Sequence, residues 1–130
     1  VNSRWQERKD ESTAKGAEMK LSTKEKKDIV ILTLEGEMVG GPDATLLTEK
    51  LRDLIHEGKT HIIVDMGNVN YMNSSGLGIL IGGLTTVRNH GGDLKLLCLA
   101  KRLQDLLRIT KMDRVFDIFE EEDEAIGSFA

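Results

Sequence analysis

An apolar run from His61 to Met66 is followed by Tyr71-Met72-Asn73-Ser74-Ser75-Gly76-Leu77-Gly78 and then by a helical pattern that continues to His90. A buried strand that feeds through a polar serine turn into a helix is the first half of a strand–helix–strand crossover, and this restricts the chain to sheets with helical cover. Leu77, Leu80, Ile81, Leu84 and Val87 keep the spacing of one helix face, so Asn73 to Ser75 fall at the helix mouth. Gly76, Gly78, Gly82 and Gly83 all lie in this helix, and each glycine in a helix interior costs roughly 0.8–1 kcal/mol relative to alanine. Bare backbone is therefore needed there. Gly78, Gly82 and Thr85 form a small-residue strip where a second surface could come close.

The segments on either side extend this unit into one domain. Ala17 to Thr23 reads as a weak strand, Lys24 to Asp28 as a charged turn and Ile29 to Glu35 as a stronger strand, together an antiparallel hairpin. Gly36, Gly40 and Gly41 break the chain before Pro42, which suits the first turn of a helix because its missing amide hydrogen costs little there. Ala44, Leu47, Leu51, Leu54 and Ile55 give that helix its buried stripe, and Gly58 ends it. After the glycine-bearing helix, Gly91-Gly92-Asp93 turns the chain into a strand from Leu94 to Leu99. A short helix is expected from Lys101 to Ile109, a last strand from Val115 to Phe119, and a final helix opened by the acids Glu120 to Glu124. The fold class is α/β, with a mixed sheet of four or five strands whose parallel part comes from right-handed crossovers. Residues 1–18 are polar without a periodic apolar face, and read as a flexible arm or a segment foreign to the domain, which spans 19–130.

Composition narrows the function. A net charge of −4 and a pI near 5.4 disfavour a nucleic-acid surface, which needs clustered lysine and arginine. Lys24, Lys26 and Lys27 alternate with acids beside a strand and read as a solvated hairpin edge, as the acidic run reads as a solvated helix start. No apolar run approaches the ~20 residues needed to span a bilayer, so no membrane role is expected. Cys98 is the single cysteine. Without a partner or a secretory signal the chain reads as cytoplasmic, with a buried, inert thiol in an apolar strand.

Enzymatic readings fit poorly. His56, His61 and His90 share no metal-ligand spacing, and one cysteine does not complete a zinc site, so no metal or cofactor is expected. A nucleophile elbow wants glycine two residues before its serine, where Asn73 stands. Gly76-Leu77-Gly78 partly matches a dinucleotide fingerprint, but its third glycine comes one place late, at Gly82. A purine nucleotide-binding domain is the alternative of a different class. What remains is a serine hydroxyl at a helix mouth, which either caps the helix or accepts a modification. Asn73 or Ser74 suits the cap, leaving Ser75 in the first turn, where a phosphate's 1.5 to 2 negative charges would suit the helix dipole.

Val64-Asp65-Met66 followed by Val69-Asn70-Tyr71-Met72-Asn73-Ser74-Ser75-Gly76-Leu77-Gly78-Ile79-Leu80 resembles the signature segment of STAS domains, specifically bacterial anti-sigma factor antagonists of the sporulation and general-stress type. Leu34-Glu35-Gly36-Glu37-Met38 and Gly91-Gly92-Asp93-Leu94 support the likeness, which runs from about Met19 to the end. The resemblance implies a STAS-like sheet with helices mainly on one face and no catalysis by the chain itself. It also implies a switch. The unmodified protein binds an anti-sigma factor serine kinase and frees a sigma factor, phosphorylation of Ser75 ends the binding, and a serine phosphatase restores it. The implied partner-binding residues are Val39, Gly40, Gly41, Met72, Asn73, Ser74, Ser75, Gly76, Gly78 and Gly82. The chain departs from such antagonists at Asn73, where aspartate is common, and at Val39, where an acid is common. Asparagine hydrogen-bonds but neither takes a proton nor adds charge. The alternative within the family is an unphosphorylated interaction module of another signalling or lipid-transport assembly.

Overall fold

The computed structural model describes residues 19–129, so the expected arm over residues 1–18 lies outside the described residues. Five strands form one sheet in the order β1-β2-β3-β4-β5, with β1 antiparallel to β2 and the other neighbours parallel. They are β1 (Lys20–Lys26), β2 (Ile29–Met38), β3 (His61–Met72), β4 (Asp93–Leu97) and β5 (Ile118–Phe119). The helices are α1 (Pro42–His56), α2 (Ser74–Asn89), α3 (Lys101–Ile109) and α4 (Glu122–Gly127), with a 3-10 turn at Met112–Arg114. β1 runs three residues further than the expected Thr23. Only Lys27 and Asp28, both at positive φ, make the turn, the backbone of a tight two-residue hairpin.

Alternation divides the sheet between two cores. Val30, Leu32 and Leu34 of β2, Ile62 and Val64 of β3, and Leu94 and Leu96 of β4 point to one side and pack with Leu47, Leu51, Leu80, Leu84 and Leu103 of the first three helices. The intervening Ile29, Ile31, Ile63 and Leu97 point to the other side and, among the described residues, form a small buried apolar cluster with Ala125 and Ile126 of α4. At about 1.5–3 kcal/mol for each fully buried large aliphatic side chain, the first core holds the fold. The second is a thin layer.

β3 continues to Met72 although its strict apolar run stops at Met66. Two register shifts against β2, between Thr33 and Glu35 and between Gly36 and Glu37, each give β3 an extra residue. Such bulges re-aim the side chains that follow them, and Met66, Val69 and Met72 all reach the main core at intervals of three rather than two. β4 pairs with β3 only as far as Asp65 and Leu97, so β2 and β3 alone carry the sheet up to the serine turn.

Cys98 differs from expectation. It lies one residue beyond β4 with φ +63, is half-buried, and its Sγ donates to the Glu120 carbonyl at 3.4 Å. Desolvation first, then the charges of Asp65, Glu121, Glu120 and Glu122, push the thiol above its ordinary pKa. The reading of an unreactive thiol thus rests on a raised pKa rather than on full burial.

Candidate interaction site

Asn73 is the residue that starts α2. Its backbone is extended (φ −104°, ψ −173°), and its Oδ1 accepts a hydrogen bond from the Gly76 amide at 2.9 Å. Its carbonyl meanwhile takes the first helical bond, from the Leu77 amide at 2.9 Å. This is the arrangement of an asparagine cap. With the cap supplied by Asn73, Ser74 and Ser75 occupy the first two helical positions, and both are exposed. Neither has to serve the helix end.

The turn is tied to β2 from below. The Asn73 amide donates to the Met38 carbonyl at 3.4 Å, and a Cβ on Gly76 would stand 1.9 Å from that same oxygen. Only glycine allows this approach. Immediately after Met38, the chain turns through Gly40 at φ +100, whose Cα faces Ser75 so closely that a Cβ there would lie 3.1 Å from the Ser75 Cβ. The loop after β2 and the mouth of α2 thus form a single surface at the carboxyl ends of two parallel strands, the edge where open α/β sheets place their sites.

Of the residues expected at this surface, Val39, Gly41, Ser74, Ser75, Gly78 and Gly82 are exposed, while Gly40 and Asn73 are partly covered. Met72 and Gly76 correct the expectation: Met72 is 5% exposed and packs in the main core, and Gly76 is buried against Met38. They shape the site from beneath. Tyr71, not anticipated, stands 42% exposed opposite Glu37 near the end of β3, and Val39, 40% exposed, follows the end of β2.

From Ser75 a groove of about 390 Å³ runs between α1 and α2, lined by Ala44, Thr48, Gly78, Gly82 and Thr86, with Arg52 at its side. Thr86 rather than Thr85 continues the small-residue strip. Ala44, expected in the buried stripe of α1, is half-buried and lines the groove; Thr48, one turn on, was missed, although the i, i+4 spacing of the two marks a face of short side chains. Among the described residues no group of three or more histidine, cysteine or acidic side chains could hold a metal ion, and no helix is long and apolar enough to cross a membrane.

A strand-end serine turn on a five-stranded mixed sheet is the arrangement of a STAS domain. The sequence matches that family over residues 20–125, and the chain belongs to it. It is similar to the anti-sigma-B factor antagonist of Bacillus subtilis, at 39% identity over 75 residues that cover 58% of this chain and 68% of the relative. In structure it is similar to an anti-sigma factor antagonist from Mycobacterium paratuberculosis, with a TM-score of 0.74 at 15% identity, covering 86% of this chain and 94% of the other. It is also similar to the Bacillus cell fate determinant SpoIIAA in its phosphorylated form, with a TM-score of 0.67 at 20% identity, covering 85% of this chain and all of the other. At those identities the two structural likenesses bear on the fold alone.

Proposed function

We propose that this protein is an anti-sigma factor antagonist of the cytoplasm: unmodified, it docks on an anti-sigma factor serine kinase through the Ser75 surface and so frees a sigma factor. Phosphorylation of Ser75 by that kinase ends the docking, and a serine phosphatase reverses it. The observation that carries this reading is the exposed Ser75, released from capping by Asn73 and held in the first turn of α2. A phosphate there would suit the positive end of α2. It would burden the partner instead, with bulk and a hydrated dianion.

The outward glycines support a docking role. A side chain on Gly78 or Gly82 would meet nothing within 4 Å, so the fold does not require glycine at either place. A partner laid along the groove does, and Gly82→Leu should weaken binding while the fold stays intact.

The experiment is to incubate the protein with the anti-sigma kinases of its own genome, measure affinity, and locate phosphate by peptide mass spectrometry. Modification confined to Ser75, tight binding by Ser75→Ala and loss of binding in Ser75→Glu are expected. A kinase that binds but leaves Ser75 unmodified would make the protein a plain docking module. Equal affinity of the two variants would move the contact surface elsewhere. Saturable heat on titration with purine nucleotides would favour a nucleotide-binding domain instead.

A further inference from the structure

We propose that α4 is a clasp over the second face of the sheet, opening as a unit separate from the main fold and closed by Glu122 gripping both Lys24 and Lys26. The inference is independent of the Ser75 surface. It starts from the length of α4: six residues are too few for a helix to persist without tertiary contacts, because nucleation is unfavourable. Its attachments therefore decide whether it forms at all.

Those attachments are of two kinds. The apolar one is small: Ala125 and Ile126 on Ile29, Ile31, Ile63 and Leu97, with the Phe129 ring stacked on His61 at 4.9 Å between centroids. The ionic one spans the chain. Lys24 and Lys26, two apart on β1 and hence on the same face, reach the two oxygens of the Glu122 carboxylate at 3.1 and 2.6 Å. A hairpin edge and a helix start that each read as solvated are in fact joined to one another.

Lys95 explains why this face opens before the other. It is the one charged side chain buried among the described residues, at 6% exposure. Its Nζ donates to the Ser128 Oγ at 2.7 Å and carbonyl at 3.2 Å, lies 4.4 Å from the Phe129 ring centroid, and has the Asp117 carboxylate at 3.7 Å. Burying an ammonium costs free energy that such partners must offset, and Ser128 and Phe129 both belong to the segment that ends α4. When α4 lifts, Lys95 exchanges Ser128 and Phe129 for water, so its hydration offsets the loss of those contacts and leaves the packing of Ala125 and Ile126 as the main cost of opening. Among the described residues no buried charged side chain lies beneath α1 and α2. The opened face would present Ile31, Ile63 and Leu97 around a single cation.

Amide hydrogen exchange on the full chain tests this. The amides of Ala125, Ser128 and Phe129, which donate to Glu121, Glu124 and Ile126, should exchange well ahead of Ile63 and Val64 in β3. Glu122→Gln should speed the α4 amides by roughly two- to tenfold, the range expected for removing two partly exposed ion pairs, and leave β3 unchanged. Salt raised toward 1 M, where the Debye length falls to about 3 Å, should act in the same direction on the wild type and little on the variant. Exchange of α4 and β3 at one common rate would overturn the separate unit, and an α4 rate indifferent to both Glu122→Gln and salt would overturn the clasp.

Discussion

The inner and outer sides of α2 carry the same residue type for opposite reasons. On the inner side Gly76 abuts the Met38 carbonyl, and Gly83 leaves room for Leu51, whose Cδ1 would be 2.7 Å from a Cβ there. On the outer side Gly78 and Gly82 face open space. Inner glycines are demanded by packing and outer ones are left over by it. The helix thus accepts a loss of propensity on its solvent side that nothing inside the protein repays, which makes that side the place to look for contacts made with other molecules.

The contrast can be broken by substitution. Gly76→Ala should do the most damage, about 3 kcal/mol or more in denaturant unfolding, because a methyl group cannot share space with a backbone oxygen. A loss below about 1 kcal/mol would mean that the β2 end yields easily and that the serine turn is not rigid. Asn73→Ala comes next, at about 1 kcal/mol for the missing cap. It should also free the Gly76 amide to exchange faster. Gly78→Ala and Gly82→Ala should each raise stability, by up to about 0.8–1 kcal/mol, while leaving the fold as it is. Destabilisation by either would place a hidden packing requirement on the outer side and erase the difference between the two pairs.

How much of this was legible beforehand follows from how local each cause is. The helix from Lys101 to Ile109 has the bounds its pattern gave, and Gly58, at φ +78, follows α1 as its left-handed stop; both depend on neighbours in sequence. The last six residues of β3 were harder, because two bulges change the spacing of its apolar residues from two to three. Val115 to Phe119 shrank to Ile118–Phe119 because the 3-10 turn at Met112–Arg114 draws Val115 and Phe116 into its own hydrogen bonds. The turn itself narrowed the cap to Asn73 or Ser74 and put Ser75 in the first helical turn; the Gly76 amide decides for Asn73. The division of the four glycines was not, since it depends on Met38 and Leu51, which lie more than thirty residues earlier in the chain. The meeting of Glu122 with Lys24 and Lys26 was invisible for the same reason.

The carbonyl of Met38 is where two distant lengths of chain are pinned together, receiving the Asn73 amide and lying against Gly76. Drawing residue 75 out as an extended peptide into a deep cleft would therefore break the Asn73 amide from the end of β2 and the Asn73 cap from α2. On the proposed function, a kinase acting there would have to accept a folded protein as its substrate and bring its phosphoryl donor to the rim, so the geometry of this one oxygen would set a requirement on the shape of a second protein.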